Sequence, residues 1–259
     1  MHALPMHSAT PEDVRHRRSV RGRRRVLLGM LALPVVVPPF AAARDNAPPY
    51  AQVRASPDGI GKTYMGREIA RVMGWQGASW LERAEREAEE RPDLLVAGLG
   101  LKPGMVVADI GAGTGYHVRR MARLVGPAGH VHAVDLQPEM IKLLRASIAQ
   151  QGIGNVTPVQ AALTDTRLPA AALDLAVMID VYHEFEFPEE MVASIVRALR
   201  PGGRLVYVEY RAEDPRVPIR ALHKMSEAQV RREAGRHPLQ FERSIDGLPW
   251  QHALVFRRR

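Results

Sequence analysis

The segment Met105–Gly115 constrains this chain more than any other. A short apolar run, Met-Val-Val-Ala-Asp-Ile, passes straight into glycines at positions 111, 113 and 115, and helix-forming sequence follows from Tyr116. Glycine is needed where the backbone turns with positive φ or must lie against a ligand. A helix that begins at such a turn offers free N–H groups and partial positive charge. Strand, glycine turn and helix in that order predict one unit of a parallel sheet with a ligand at the turn.

The rest of the C-terminal two-thirds repeats the alternation. Apolar runs at Met105–Ile110, His130–Asp135, Val156–Ala161, Leu173–Ile179 and Arg204–Glu209 are separated by helical stretches at Tyr116–Val125, Pro138–Gln151 and Pro188–Leu199. This predicts an α/β fold, a doubly wound, mostly parallel sheet with helices on both faces. Runs at Leu239–Ile245 and Trp250–Arg257, joined by Asp246-Gly247-Leu248-Pro249, predict a closing antiparallel hairpin and bring the sheet to seven strands. Ahead of it, residues 60–91 read as helical. Ile69, Val72 and Met73 recur at helical spacing, and a second helix from Ser79 to Arg91 carries charge pairs Glu82–Arg86, Arg83–Glu87 and Arg86–Glu90 before Pro92 stops it. That charge run reads as a solvated helix face. The other reading is a lid with Tyr64, Arg67 or Trp80 reaching inward.

The N-terminus has a different character. Residues 1–43 carry seven arginines against Glu12 and Asp13, so most of the net charge of +8 sits there. Arg21-Gly22-Arg23-Arg24-Arg25 precedes an uncharged stretch from Val26 to Ala43 that closes on three alanines. A basic start, apolar middle and small-residue exit describe a secretory signal, and the arginine pair resembles a twin-arginine export signal. The resulting division is a signal peptide at 1–43, a linker at 44–56, a helical cap at 57–92 and the sheet domain at 93–259. The location expected is the periplasm, with an inner-membrane anchor as the alternative. The body has no basic stripe with interleaved aromatics, so no nucleic-acid partner is expected. The chain has no cysteine, which excludes disulfides, thiolate metal sites and a cysteine nucleophile.

The dinucleotide fingerprint needs a glycine at position 116, and Tyr116 stands there. The pattern Asp-x-Gly-x-Gly-x-Gly over Asp109–Gly115 resembles instead the first motif of class I S-adenosylmethionine-dependent methyltransferases. The next strand ends in Asp135, 24 residues after Gly111. A carboxylate at that strand tip can accept hydrogen bonds from both ribose hydroxyls, the role that this family gives it. The resemblance covers residues 93–257. It implies S-adenosylmethionine as cofactor, with the loop residues Asp109, Gly111, Ala112, Gly113 and Gly115 at its amino-acid end, and Asp135 and Leu136 at the ribose. It also implies Leu163 and Asp165 at the adenine, and Asp180 at the end of the fourth strand of the sheet.

Polar residues at the tips of the fourth and fifth strands, Asp180, Tyr182, His183 and Glu184 and then Glu209 and Tyr210, are the candidates for chemistry. His183 is the expected general base, tuned by a carboxylate such as Glu184, and Asp180 and Tyr182 would orient an acceptor. His223 is a second candidate base. No metal is expected. The pair Asp180 and Glu209 lacks the Asp-Asn pattern of the magnesium-dependent methyltransferases, and His183-Glu184 is followed by Phe187 rather than by the histidine of a zinc-protease motif. The expected function is methyl transfer to a small-molecule acceptor by in-line displacement. The alternatives are a protein or peptide methyltransferase and a non-catalytic cofactor-binding module.

Overall fold

In the computed structural model, which describes residues 49–259, seven strands form the central sheet in the order β6-β5-β4-β7-β8-β10-β9. They are β4 (Val106–Ile110), β5 (His130–Asp135), β6 (Val156–Gln160), β7 (Leu173–Ile179), β8 (Leu199–Tyr210), β9 (Leu239–Ile245) and β10 (Gln251–Arg258). Strands β4 to β8 pair in parallel, and β10 runs antiparallel to both β8 and β9. The fold is the expected one. The helices α4 (Tyr116–Val125), α5 (Pro138–Gln150) and α6 (Pro188–Ala198) connect the strands. Proline opens both α5 and α6, where its missing N–H costs nothing and its φ suits the first turn.

The central strands β4 and β7 are buried along nearly their whole length because both faces are covered, whereas the edge strands β6 and β9 are partly exposed. Side chains alternate between faces with period two. Val107, Val131, Leu175, Val177 and Val206 point into one core with Met121 and Val125 of α4 and Leu144 of α5. Ala108, Val134, Ala176, Met178 and Leu205 point into the other core with Val192 and Ile195 of α6. That second core also holds Val230 and Ala234 of α7 (Glu227–Ala234), whose Ser226 cap accepts a hydrogen bond from the Gln229 N–H.

The segment before the sheet departs from expectation. Residues 50–70 form a three-stranded antiparallel meander, β1 (Tyr50–Gln52), β2 (Gly59–Tyr64) and β3 (Arg67–Ala70), instead of the start of a helical cap. Strand β1 falls within the expected linker 44–56. Tyr64 pairs with Arg67 across a two-residue turn, with Met65 at φ 48° and Gly66 at φ 86°. Positive φ at both central positions is the tight hairpin turn whose twist matches that of the strands. The second expected helix is broken into α1 (Ala78–Leu81) and α2 (Arg86–Glu89), ahead of α3 (Pro92–Gly98).

The charge run there is not a solvated face. Arg86 and Glu90 form a buried ion pair at 2.5 Å. Glu82 holds Thr114 and Arg119, and Glu87 holds Tyr116 and Arg120, so the segment is clasped to the glycine loop and α4. The expected signal peptide lies outside the described residues. Among the described residues no helix is long and apolar enough to cross a membrane.

Candidate functional site

Chain order in the sheet reverses between β4 and β7, and a crevice opens at such a switch point beyond the carboxyl ends of the strands. A cavity of 650 Å³ lies there. Gly111, directly after β4, has φ +79°, and a Cβ on it would lie 2.5 Å from Val181, directly after β7. Gly113 has φ +53°, and a Cβ there would lie 2.7 Å from Leu81 of α1. Both glycines line the cavity, so the loop is pressed between two side chains with its backbone open to a ligand.

The Gly113 N–H donates to Asp135 Oδ2 at 2.9 Å, and the Gln137 N–H donates to Oδ1 at 2.9 Å. These bonds fix the carboxylate at the tip of β5 and leave each oxygen a free lone pair. Burial raises the Asp135 pKa, and the backbone N–H groups of Gln137, Gly113 and Leu136 pull it down. Leu136, Ala162 and Leu163 continue the wall, with Leu136 and Leu163 exposed at the mouth.

The other loop residues lie beneath the cavity surface. Gly115 starts α4 at φ +89°, and its missing Cβ lets Leu144 approach, so its role is packing. Ala112 is part of the core. Asp109 is buried under the loop, and burial pushes its carboxyl up to about 7, opposed by the nearby Arg86 charge.

Two of the expected site residues are directed elsewhere. Asp165 turns to the Arg167 N–H, Ser194 and Arg197, and is not among the lining residues. It shapes the turn after β6, and the adenine-reading role expected of it has no support in this geometry. Tyr182 is fully buried, donates to Glu233 at 2.7 Å and is not among the residues that line the cavity. An acceptor-orienting role for Tyr182 is likewise corrected to a core one, because its ring packs edge-on against Tyr207. Tyr64 and Arg67 of the meander also face the protein, holding Glu189 and Glu233. Trp80 does line the cavity.

Asp180, His183 and Glu184 do come together on the cavity wall. Asp180 sits at φ 52°, with Oδ2 accepting from Gln251 at 2.6 Å and Oδ1 buried without a partner. Burial holds its pKa well above the ordinary carboxylate value, helped by the charges of Glu90 and Glu209 and opposed by Arg86. His183 Nδ1 lies 2.6 Å from Glu209 Oε2, so the ring donates from Nδ1 and turns Nε2 toward the cavity. Burial disfavours the imidazolium, but the Glu209 charge and hydrogen bond outweigh it and raise the His183 pKa. His223 brings Nδ1 to 3.2 Å from His183 Nε2 and 3.3 Å from Glu184 Oε1.

Sequence reasoning missed the residues that close the cavity from outside the sheet. Val72 and Met73 follow β3 and Arg86 belongs to α2, whereas Tyr210, which also lines the cavity, sits at the tip of β8 where the polar strand ends were expected. Arg86 carries the one signal that could have found it, an arginine spaced four residues from a glutamate on a short helix. Arg86 joins Glu90, which accepts from Tyr210 at 2.8 Å, and this buried network underlies the Asp180 end of the cavity.

Residues 107–203 match the family described as a methyltransferase domain. The ubiquinone/menaquinone biosynthesis C-methyltransferase UbiE of Ectopseudomonas mendocina (strain ymp) is 35% identical over 112 residues, 43% of this chain and 44% of that protein. The chain thus spans less than half the length of this relative. A SAM-dependent methyltransferase structure from Aquifex aeolicus aligns with a TM-score of 0.69 at 21% identity, covering 73% of this chain and 100% of that one. A geranyl diphosphate methyltransferase structure in complex with SAM aligns with a TM-score of 0.57 at 16% identity, covering 72% of this chain and 92% of that one. At these identities the structural likenesses speak for the fold. Residues 107–203 match the methyltransferase-domain family, and the fold around them is similar to the Rossmann-like fold of S-adenosylmethionine-dependent methyltransferases.

Proposed function

We propose that this protein is an S-adenosylmethionine-dependent methyltransferase that acts on a small-molecule acceptor. The observation that carries the reading is the Gly113–Asp135 hydrogen bond at the mouth of a cavity that ends at Asp180 and His183. The residues present suit the cofactor. Gly111 and Gly113 offer an open backbone, Asp135 has free lone pairs for ribose hydroxyls, and Leu136, Ala162 and Leu163 offer an apolar bed for adenine. The unpaired Asp180 Oδ1 suits the ammonium of an amino-acid end. The cofactor, when bound, supplies a methyl group already activated on a sulfonium. The protein's part is to align the acceptor with it. An acceptor that must lose a proton meets the His183 Nε2 lone pair, held in place by Glu209. Val72, Met73, Phe185 and Ile219 line the same space, which favours a small apolar acceptor over a protein chain.

Calorimetry of the purified chain with S-adenosylmethionine tests the cofactor reading. Labelled methyl transfer into a cell extract separated by size then tests the acceptor class. Label confined to the macromolecular fraction would reject the small-molecule reading. The charge pattern of residues 21–43 supports export to the periplasm as a second element of the proposal. Fractionation of cells producing the full chain, with probes on either side of the inner membrane, checks it. Protein found only in the cytosol would refute it.

A further inference from the structure

His183, Glu184 and His223 converge on a single point of the cavity wall. The three ligand-type atoms are His183 Nε2, His223 Nδ1 and Glu184 Oε1. They stand 3.2, 3.3 and 3.9 Å apart. An ion about 2.1 Å from each ligand atom in a tetrahedral site requires atoms about 3.4 Å apart. The observed triangle therefore has the size of one face of such a site.

We propose that His183 Nε2, His223 Nδ1 and Glu184 Oε1 bind a divalent transition-metal ion of the zinc class, with the fourth position open to the cavity.

Three further features agree with this. First, the Glu209 carboxylate takes the Nδ1 proton of His183 as a hydrogen bond at 2.6 Å. That carboxylate–histidine pair fixes the tautomer in which Nε2 presents a lone pair, the arrangement that orients metal-binding imidazoles. Second, the ligand side chains are 2, 10 and 21% exposed, so the site is buried enough to hold its geometry and open enough to be loaded. Third, two histidines and one carboxylate are the ligand set of open catalytic sites, which keep a position for water or substrate. Among the described residues this is the cluster of metal-ligating side chains that reaches that geometry. The Glu184 oxygen is also steadied by the Met73 N–H at 3.1 Å, which ties the site to the segment that follows β3.

The site lies where the acceptor is proposed to bind, and its role rests on that reading. With the ion bound, the His183 Nε2 lone pair is taken up as a ligand, so an acceptor hydroxyl entering the fourth position would be polarised by the ion and release its proton to solvent; the base role of Nε2 belongs to the metal-free chain. The binding of the ion itself does not depend on methyl transfer.

The test uses the untagged full chain, stripped with a chelator and titrated with Zn²⁺ against a chromophoric competitor. One ion per chain with sub-micromolar affinity is expected. His223→Ala and Glu184→Gln should each weaken it at least tenfold, whereas His130→Ala, at a distant surface histidine, should leave it within twofold. Co²⁺ should give visible absorption of tetrahedral strength that His223→Ala removes. Circular dichroism of each variant separates lost ligands from lost fold. Absence of stoichiometric binding, or equal affinity in folded His223→Ala and Glu184→Gln variants, overturns the proposal. A parallel titration with S-adenosylmethionine keeps the two readings apart. A chain that binds the cofactor and no metal sinks this inference alone, and one that binds the metal and no cofactor sinks the proposed function alone.

Discussion

The backbone N–H of Gly113 donates to the Asp135 carboxylate at 2.9 Å, joining the glycine loop after β4 to the tip of β5. One side chain thus sets the loop and offers its remaining lone pairs to a ligand. Asp135→Ala is expected to abolish measurable binding of S-adenosylmethionine in calorimetry. Asp135→Asn, which keeps one acceptor oxygen, should weaken it by roughly 10- to 100-fold, since hydrogen bonds to a charged group contribute about 1.5–3 kcal/mol each. Full affinity in Asp135→Ala would remove the ribose assignment.

Asp180 supplies a second, separable test. Its Oδ1 has no partner and its backbone sits at φ 52°, a conformation that asparagine tolerates well. Asp180→Asn should therefore fold, yet lose cofactor affinity by roughly 10- to 100-fold, because the amide cannot take on the negative charge that a bound ammonium would draw from the carboxyl. Thermal unfolding with and without S-adenosylmethionine reads this as a near-unchanged free-protein Tm and a diminished ligand-induced shift.

Gly111 is constrained twice, by its φ of +79° and by Val181 at 2.5 Å from the position of a Cβ. Gly111→Ala should cost about 3 kcal/mol in urea unfolding, the sum of a left-handed backbone and an overpacked contact. Adding Val181→Ala should return the steric part and leave the backbone part. Equal losses in the single and double variants would show that Val181 does not press on the loop.

Asp109 predicts a pH dependence. Burial raises its pKa from an ordinary value of 3.8 to about 7. Between those values the folded chain holds a proton that the unfolded chain has released. Stability contributed by this group is thus present below about pH 4 and declines as pH rises to about 7, by on the order of 4 kcal/mol. Asp109→Asn removes this slope. The stability of the variant relative to the native chain should rise from pH 4 to pH 8 in urea titrations, and a constant difference would refute the buried-acid account.

Glu233 is fully buried and is held by Arg67 of β3, by Tyr182 and by Gln229. Arg67→Met strips the charge partner and should destabilise the fold by about 3–5 kcal/mol. Arg67→Met combined with Glu233→Gln should recover much of that, because no uncompensated charge remains.

The sheet was legible because its signals are local. The bounds of β5, β7, β9 and α4 coincide with the apolar and helical runs read from the sequence, since buried parallel strands and amphipathic helices carry their periodicity within a few residues. The meander was not legible. Gly59–Tyr64 pairs with residues on both sides, Tyr50 against Tyr64 and Glu68 against Thr63, and such pairing leaves little pattern in short half-exposed strands. The Met65-Gly66 turn was the available signal. It was outweighed by the helical spacing of Ile69, Val72 and Met73. At the site, Asp135 and Gly113 could be read from spacing, whereas His223 meets His183 across 40 residues and no motif links them. Asp165 and Tyr182 sat at the expected sequence positions, but each found a closer partner, Arg197 and Glu233, that turns it from the cavity.

The cavity has two walls, one inside the stretch that matches the methyltransferase-domain family and one outside it. The wall that suits the cofactor belongs to the matched stretch 107–203, whereas Val72, Met73, Trp80, Ile219 and His223 come from either side of it. On the proposed function, the matched stretch would hold the methyl donor and the flanking segments would select the acceptor.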